Sequence, residues 1–116
     1  VKRINYRITK KTENIVNFLL SNEIKNNSLL FNFFETLLNS VIYEIYFSED
    51  IKQANKEILK YLEDLQPIND NMPEEQKLSI IQSEYERLSH PEHPVRKNMD
   101  TLDEVEEVRI IKEALK

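Results

Sequence analysis

The chain has 116 residues, of which 40% are hydrophobic and 32% are charged, and its net charge is −5 at pH 7. This balance is typical of one folded domain with a modest core and excludes an intrinsically disordered chain. Cysteine and glycine are both absent, which excludes disulfides, thiolate metal sites and glycine-dependent phosphate-binding loops. No stretch approaches the roughly 20 apolar residues that span a bilayer. We therefore expect a cytoplasmic protein without a membrane partner.

The positive charge is concentrated at the N-terminus. Residues 1–12 contain five cations and no acid, whereas residues 13–116 contain 11 cations and 21 acids. This distribution excludes a uniformly basic nucleic-acid binder, but it is compatible with a basic arm that contacts phosphate groups. The alternative for each basic group is a solvated surface with no ligand. The candidate nucleic-acid-binding residues are Lys2, Arg3, Arg7, Lys10, Lys11, Arg96 and Lys97.

The first 27 residues predict a short extended segment followed by a short helix. In the sequence RINYRIT, Ile4, Tyr6 and Ile8 alternate with polar neighbours, which is typical of a strand. Ile15 and Leu19 then recur at helical spacing. Because an isolated strand needs a partner, we expect this segment either to pair outside the chain or to be an extended arm.

Residues 29–47 predict a helix that is apolar on more than half of its circumference. Leu30, Phe34, Leu37 and Val41 recur at spacings of three and four, and other apolar residues widen this stripe. Such a helix is either the centre of the domain or docks against another protein. The side chains that we expect at a docking surface are Phe31, Phe34, Tyr43, Tyr46 and Phe47.

Two further helices are predicted before the first histidine. Ser48 is placed to cap the first of them, whose apolar positions run from Ile51 to Leu65 and which should end near Pro67. The linker QPINDNMP follows and is rich in turn residues. The next helix should begin around Pro73, because two acids follow in its first turn.

The stretch SHPEHPVRKN, residues 89–98, contains both histidines of the chain. Two imidazoles suit zinc, but no cysteine and no third histidine is present to complete a site. We interpret the stretch as a proline-stiffened turn in which histidines cap a helix C-terminus and no metal is bound. Arg96 and Lys97 are expected to pair with Glu86 or Asp103 rather than to bind a ligand.

Thr101 and Glu104 predict a capping box for a last helix that runs to about residue 115. The whole pattern predicts an all-α fold, a small four- to five-helix bundle with a short extended N-terminal segment. We divide the chain into residues 1–27, a basic junction, and residues 28–116, a helical accessory domain.

Three stretches resemble a known family: LLNSVIYEIYFSEDI (37–51), YERLSHPEHPVRKNMDTLDEV (85–105) and EEVRIIKEAL (106–115). They are similar to the extreme C-terminal region of TaqI-like and type IIG restriction-modification proteins, which are adenine-specific DNA methyltransferases that use S-adenosylmethionine. One position departs from that pattern, since Ser48 stands where the resemblance leads us to expect a proline at the start of a helix.

The resemblance implies a non-catalytic accessory domain. The Asn-Pro-Pro-aromatic motif of the family has no match here, and its glycine-containing cofactor motif is impossible without glycine. No catalytic residue and no cofactor are therefore assigned to this chain, and S-adenosylmethionine would belong to the parent protein. The implied partners are the remainder of that parent and DNA. The chain, which does not begin with methionine, would be a C-terminal piece of the longer enzyme.

A second interpretation is a complete helical adaptor that self-associates as a homodimer through the apolar stripe of residues 31–47. The two interpretations differ in the gene, because only the first expects an Asn-Pro-Pro-aromatic motif upstream.

Overall fold

The computed structural model describes residues 2–21 and 28–115, of which positions 2 and 4 are described by their backbone alone. These residues form six α-helices and no strand, which confirms the predicted all-α class. Two short 3₁₀ turns lie at Leu59–Tyr61 and Leu102–Glu104. None of the helices in the described ranges is long and apolar enough to cross a membrane. The α-helices are α1 (Lys2–Ser21), α2 (Ser28–Tyr46), α3 (Ser48–Gln53), α4 (Glu74–Leu88), α5 (Pro94–Asp100) and α6 (Glu106–Ala114).

The N-terminal segment is helical, so the predicted extended segment is wrong. α1 buries Ile8, Ile15 and Leu19 on one face, at the spacing that a helix requires. Thr12 completes this face, since it is fully buried and its hydroxyl donates to the Ile8 carbonyl oxygen at 2.8 Å. A polar residue in the middle of the buried face hid the helical period, and the exposed Tyr6 supplied a misleading alternation.

α2 is the central helix of the domain, which was one of the two alternatives for its apolar stripe. It packs against α1, α3, α4 and α5, and Phe34, Leu37 and Val41 are fully buried. Burial of each such side chain contributes on the order of 1.5–3 kcal/mol. Phe33 adds edge-to-face contacts to Phe34 and to Tyr85 of α4, each with ring centroids 5.2 Å apart. The stripe is therefore covered mainly from within the chain.

The helix predicted over residues 51–65 is wrong beyond its first turns. α3 ends at Gln53, and Asn55 has a φ of 60°, a left-handed conformation that asparagine tolerates better than most residues. The chain then runs without regular α-helix to α4, so the predicted linker at residues 66–73 is confirmed. In this segment, apolar residues at spacings of three and four are buried in the core, although the backbone does not form an α-helix. The buried ones are Ile58, Leu59, Leu62, Leu65 and Ile68.

Two predicted helix caps are also wrong. Ser48 is the first helical residue of α3 and no side chain caps that helix. α6 begins at Glu106, and Thr101 instead ends α5, where its hydroxyl donates to the Lys97 carbonyl oxygen at 2.9 Å. The Lys56 ammonium donates to the same hydroxyl at 2.7 Å. The threonine therefore connects α5 to the irregular segment and is not available to cap α6.

α4 begins where it was predicted, with Pro73 at its N-cap position and acids in its first turn. α5, by contrast, lies inside the stretch that was interpreted as a turn. Val95 and Met99, four residues apart on α5, are buried in the main core. A seven-residue helix with two buried apolar positions is too short to show a period in the sequence.

A second, smaller apolar cluster holds the C-terminal part of the chain. Its four buried members come from α3, the second 3₁₀ turn, α6 and the residue between the last two, and side chains at the end of α2 and just after it pack against it. This contact positions α6 beside the C-terminal half of α2. The buried members are Ile51, Leu102, Val105 and Val108, and Tyr43 and Phe47 are the partly buried neighbours.

One buried carboxylate ties α2 to the irregular segment. Glu44 is 6% exposed, and its Oε1 accepts hydrogen bonds from the backbone N–H groups of Ile58 at 2.5 Å and Leu59 at 3.1 Å. These amides open the first 3₁₀ turn, where a helix start leaves N–H groups without intrahelical partners. Burial raises the pKa of Glu44 above its usual 4.5, and the two N–H groups oppose that rise.

We expect Glu44→Ala to lower the free energy of unfolding by about 2–4 kcal/mol, because it leaves two buried N–H groups without an acceptor. Glu44→Gln keeps an acceptor oxygen and should lose less. Urea denaturation measures both changes. Glu35→Ala, at an exposed position of the same helix, is the matched control and should stay within about 0.5 kcal/mol of wild type. Equal losses at positions 44 and 35 would contradict this role.

The raised pKa of Glu44 also determines how the stability of the domain changes with pH. The folded state binds this proton more tightly than the unfolded state, so the contribution to stability is full below the ordinary pKa of 4.5. It is lost as the pH rises through the raised pKa. The stability of wild type relative to Glu44→Gln should therefore be greatest in acid and should decline with rising pH. A difference that does not change with pH would contradict the raised pKa.

Candidate nucleic-acid interface

The basic residues of the N-terminal arm lie on one exposed face of α1. Arg3, Arg7 and Lys10 are three and four residues apart, so a helix places them in one row, and all three are exposed. Asn14 and Asn17 continue this row toward the C-terminal end of α1 and are also exposed. The cations span roughly 10 Å of helix axis at about 1.5 Å per residue. We call the three cations, Arg3, Arg7 and Lys10, the α1 row.

Two arginines of the α1 row keep their charge unneutralised. Lys10 has Glu13 at 3.7 Å, in a pair that is largely open to solvent, and such pairs contribute little. Among the residues that the structure describes, no carboxylate lies within 4.0 Å of Arg3 or Arg7. The α1 row is therefore a local source of positive potential.

The two other predicted cations of the arm flank the α1 row or are undescribed. Lys11 is half-buried and shares a shallow depression of about 230 Å³ with Arg7 and Glu63. Glu63 therefore brings negative charge to that side of α1. The side chain of Lys2 lies outside the described part of the chain.

Arg96 and Lys97 are each paired with an acid close in sequence. Arg96 Nε donates to Asp100 Oδ2 at 2.9 Å, and the Lys97 ammonium lies 3.3 Å from a Glu92 carboxylate oxygen. The predicted pairing is wrong, because both acids that bind these cations belong to α5 or to the turn before it. The predicted partners were Glu86 and Asp103. The structure thus groups the cations of α1 and places Arg96 and Lys97 on another helix, each beside an acid.

Both histidines accept hydrogen bonds from backbone N–H groups two residues ahead. His90 Nδ1 accepts from Glu92 and His93 Nδ1 accepts from Val95, each at 3.1 Å. His93 is the N-cap of α5, so the predicted capping of a helix C-terminus is wrong. Within residues 2–21 and 28–115, no group of three or more metal-ligating side chains is found.

An arginine beside His93 joins α4 to the irregular segment. The Arg87 guanidinium donates to Asp64 at 3.3 Å and forms an ion pair with the buried Glu84. Burial lowers the pKa of His93 below its usual 6.5, and Arg87 adds to that effect, whereas the carboxylates of Asp64 and Glu84 oppose it. His93 is therefore held in the neutral form that its role as an acceptor requires.

The predicted docking surface is divided between core and surface. Phe34 is fully buried, so it contributes to no surface. Phe31 is partly buried against the main core, and Tyr43 and Phe47 are partly buried against the smaller cluster. Tyr46 is 78% exposed. The structure thus brings these five aromatic residues to different surroundings and not to one patch.

A polar pocket at the C-terminal end of the α1 row was missed by the sequence reasoning. It has a volume of about 320 Å³ and is lined by residues of α1, α4 and the linker before α4. No local motif could reveal it, because its walls are some fifty residues apart in sequence. The lining residues are Asn14, Asn17, Phe18, Ile68, Asn69, Asp70 and Lys77.

Comparison with known protein families, with curated proteins and with solved structures finds no match to this chain. In the resembling stretch of residues 85–105, His93 and Pro94 begin α5, and Arg96 pairs with Asp100. These residues therefore have a local structural role in this chain, and that role does not depend on membership of any family.

We expect the stability of the domain to fall as the pH drops from about 6.5 through the lowered pKa of His93. The folded state favours the neutral imidazole, because protonation at Nδ1 removes the acceptor of the Val95 N–H group. His93→Asn supplies a cap that does not titrate, so this variant should lose less stability on acidification than wild type. Urea unfolding on both sides of this range measures the change.

His90→Asn is the matched control, since this imidazole belongs to the same turn and is exposed. It should keep the pH dependence of wild type. The prediction fails if His93→Asn and His90→Asn lose the same free energy on acidification.

Proposed function

We propose that this chain is a non-catalytic helical domain that binds the phosphate backbone of DNA through the α1 row. The contrast in ion pairing carries the proposal. In the described ranges Arg3 and Arg7 have no acidic partner, whereas Arg96 and Lys97 each have one. Unneutralised guanidinium groups donate to phosphate oxygens in pairs of hydrogen bonds, and their charge drives the release of counterions from DNA.

The charge of the remaining chain supports a one-sided contact. Residues 13–116 contain 11 cations and 21 acids, so most of the surface repels phosphate. DNA would therefore approach along α1 alone. Contacts of this kind position a protein on the backbone without reading base sequence, so the domain would add affinity and orientation to a partner that reads the sequence.

The resemblance supports a setting for this role. In TaqI-like and type IIG restriction-modification proteins, the similar region follows the target-recognition domain of an adenine-specific DNA methyltransferase. We propose the same setting here, with recognition, S-adenosylmethionine binding and methyl transfer supplied by the rest of the parent protein. The domain would pack on that body with α1 facing the DNA.

We expect the double substitution Arg3→Gln and Arg7→Gln to weaken binding of a DNA duplex without changing sequence preference. The slope of log K against log salt should become shallower by about 1.8, because each lost phosphate contact removes about 0.9. Fluorescence anisotropy across a salt series measures this slope. The matched control is Lys52→Gln with Arg109→Gln, two exposed cations elsewhere, which changes the net charge equally. The same slope in both double variants would overturn the assignment to α1.

A second candidate is self-association through α2, which the exposure of its ends favours. Leu29 is 63% exposed and Tyr46 is 78% exposed, although the middle of the helix is buried. A symmetric contact through these ends would cover them in a homodimer.

If the chain self-associates through α2, light scattering should show a dimer at micromolar concentration. The double substitution Leu29→Glu with Tyr46→Glu should convert this dimer to a monomer. Tyr6→Glu, at an exposed aromatic position of α1, serves as the control and should leave the dimer intact. A wild-type domain that is monomeric at every concentration excludes this candidate.

A further inference from the structure

The polar pocket lies where the α1 row ends. Asn14 and Asn17 follow Lys10 on the same exposed face of α1 and line the pocket. Lys10 and Asn14 are four residues apart, which separates them by about 6 Å along the helix axis. A strand whose phosphates contact Arg7 and Lys10 therefore passes the mouth of the pocket.

The pocket is not suited to a phosphate. Asp70 and Lys77 are among the lining residues, and the Asp70 carboxylate would repel a second anion there. The other polar groups are amides, each of which carries both a donor and an acceptor. The side-chain Oδ1 of Asn69 accepts from the Asn71 N–H group at 2.9 Å, so the NH₂ group of Asn69 is left to donate. This mixed set of donors and acceptors fits an uncharged polar ring.

The remaining surface of the pocket is apolar and aromatic. Phe18 is partly buried against the core, and Ile68 forms a buried floor. The Lys77 ammonium lies over the Phe18 ring, 5.1 Å from its centre, so it covers one face of that ring. A planar ring that enters the pocket would contact the apolar surface of Phe18 and Ile68 while its edge bonds to the amides. The volume of about 320 Å³ is at the small end of ligand sites, which suits one base and not a dinucleotide.

We propose that this pocket receives one unstacked nucleobase of the strand whose phosphates the α1 row binds. The inference rests on the proposed function and adds to it a preference for nucleic acid with an extrahelical or unpaired base. Asp70 accepts from an N–H donor on the edge of the base, and Asn14, Asn17 and Asn69 supply the complementary groups. A fully paired duplex offers no base to the pocket and is held by phosphate contacts alone.

The test compares three fluorescent DNA duplexes by anisotropy across a salt series. The first carries a single bulged nucleotide, the second carries an abasic bulge at the same place, and the third is fully paired. We expect the bulged duplex to bind wild type about 5- to 100-fold more tightly than the abasic one, as expected for one stacked and hydrogen-bonded base. The abasic and paired duplexes should bind alike.

The variant for this test is Asn14→Ala with Asn17→Ala, which removes two amides from the pocket and improves helix propensity, so α1 remains folded. It should bring the affinity for the bulged duplex close to that for the abasic one and leave the paired duplex unchanged. Asn32→Ala with Asn39→Ala, at exposed positions of α2, is the matched control and should keep the preference of wild type.

The outcomes separate the two proposals. If all three duplexes bind equally, with a salt dependence that Arg3→Gln and Arg7→Gln reduce, the pocket is not a base site and the phosphate contact stands. If no duplex binds in a salt-dependent way, both proposals fail. A preference for the bulged duplex that survives loss of Asn14 and Asn17 overturns the assignment to this pocket.

Discussion

A carboxylate in the core, Glu44, holds the irregular middle of the chain against the central helix. After Asn55 the backbone leaves helical geometry, and the N–H groups of Ile58 and Leu59 enter the core together with their apolar side chains. Buried N–H groups without acceptors cost about 1–3 kcal/mol each. Glu44 satisfies both with one oxygen, and burial of that carboxylate raises its pKa. The segment can therefore be apolar and irregular at once.

The C-terminal half of the domain is attached to this segment by polar contacts. Asn98 of α5 donates to the Glu57 carbonyl oxygen at 2.8 Å. Lys56 binds both the Thr101 hydroxyl and the Glu104 carboxylate. Further along the segment, the Asp64 carboxylate follows the first 3₁₀ turn and forms an ion pair with the Arg87 guanidinium of α4. α4, α5 and the second 3₁₀ turn are thus oriented by groups whose own position depends on the contact to α2.

The same distribution of ion pairs determines where the surface can act. Outside α1, several cations form ion pairs with acids of the same domain. The charge of these cations is therefore balanced within the fold. On α1 the buried face packs along α2, which directs Arg3 and Arg7 to solvent, and no carboxylate of the described residues lies within 4.0 Å of either arginine. The packing of one apolar face therefore creates the basic row on the opposite face, and the linker before α4 builds the polar pocket at its end.

The sequence by itself determined the all-α class, the presence of α2, the linker and the start of α4, because long apolar periods and prolines act locally. It also identified the cations of α1, although it predicted an extended arm. Only the tertiary structure decided that α2 is the central helix, that Thr12 lies inside a helix, that residues 54–65 form no α-helix and that Pro94–Asp100 form α5. Each of these depends on packing against parts of the chain that are far apart in sequence. The Thr12 hydroxyl bonds to its own helix, the amide that Glu44 binds lies fourteen residues away, and α5 buries only two apolar side chains. None of these features produces an apolar period in the sequence.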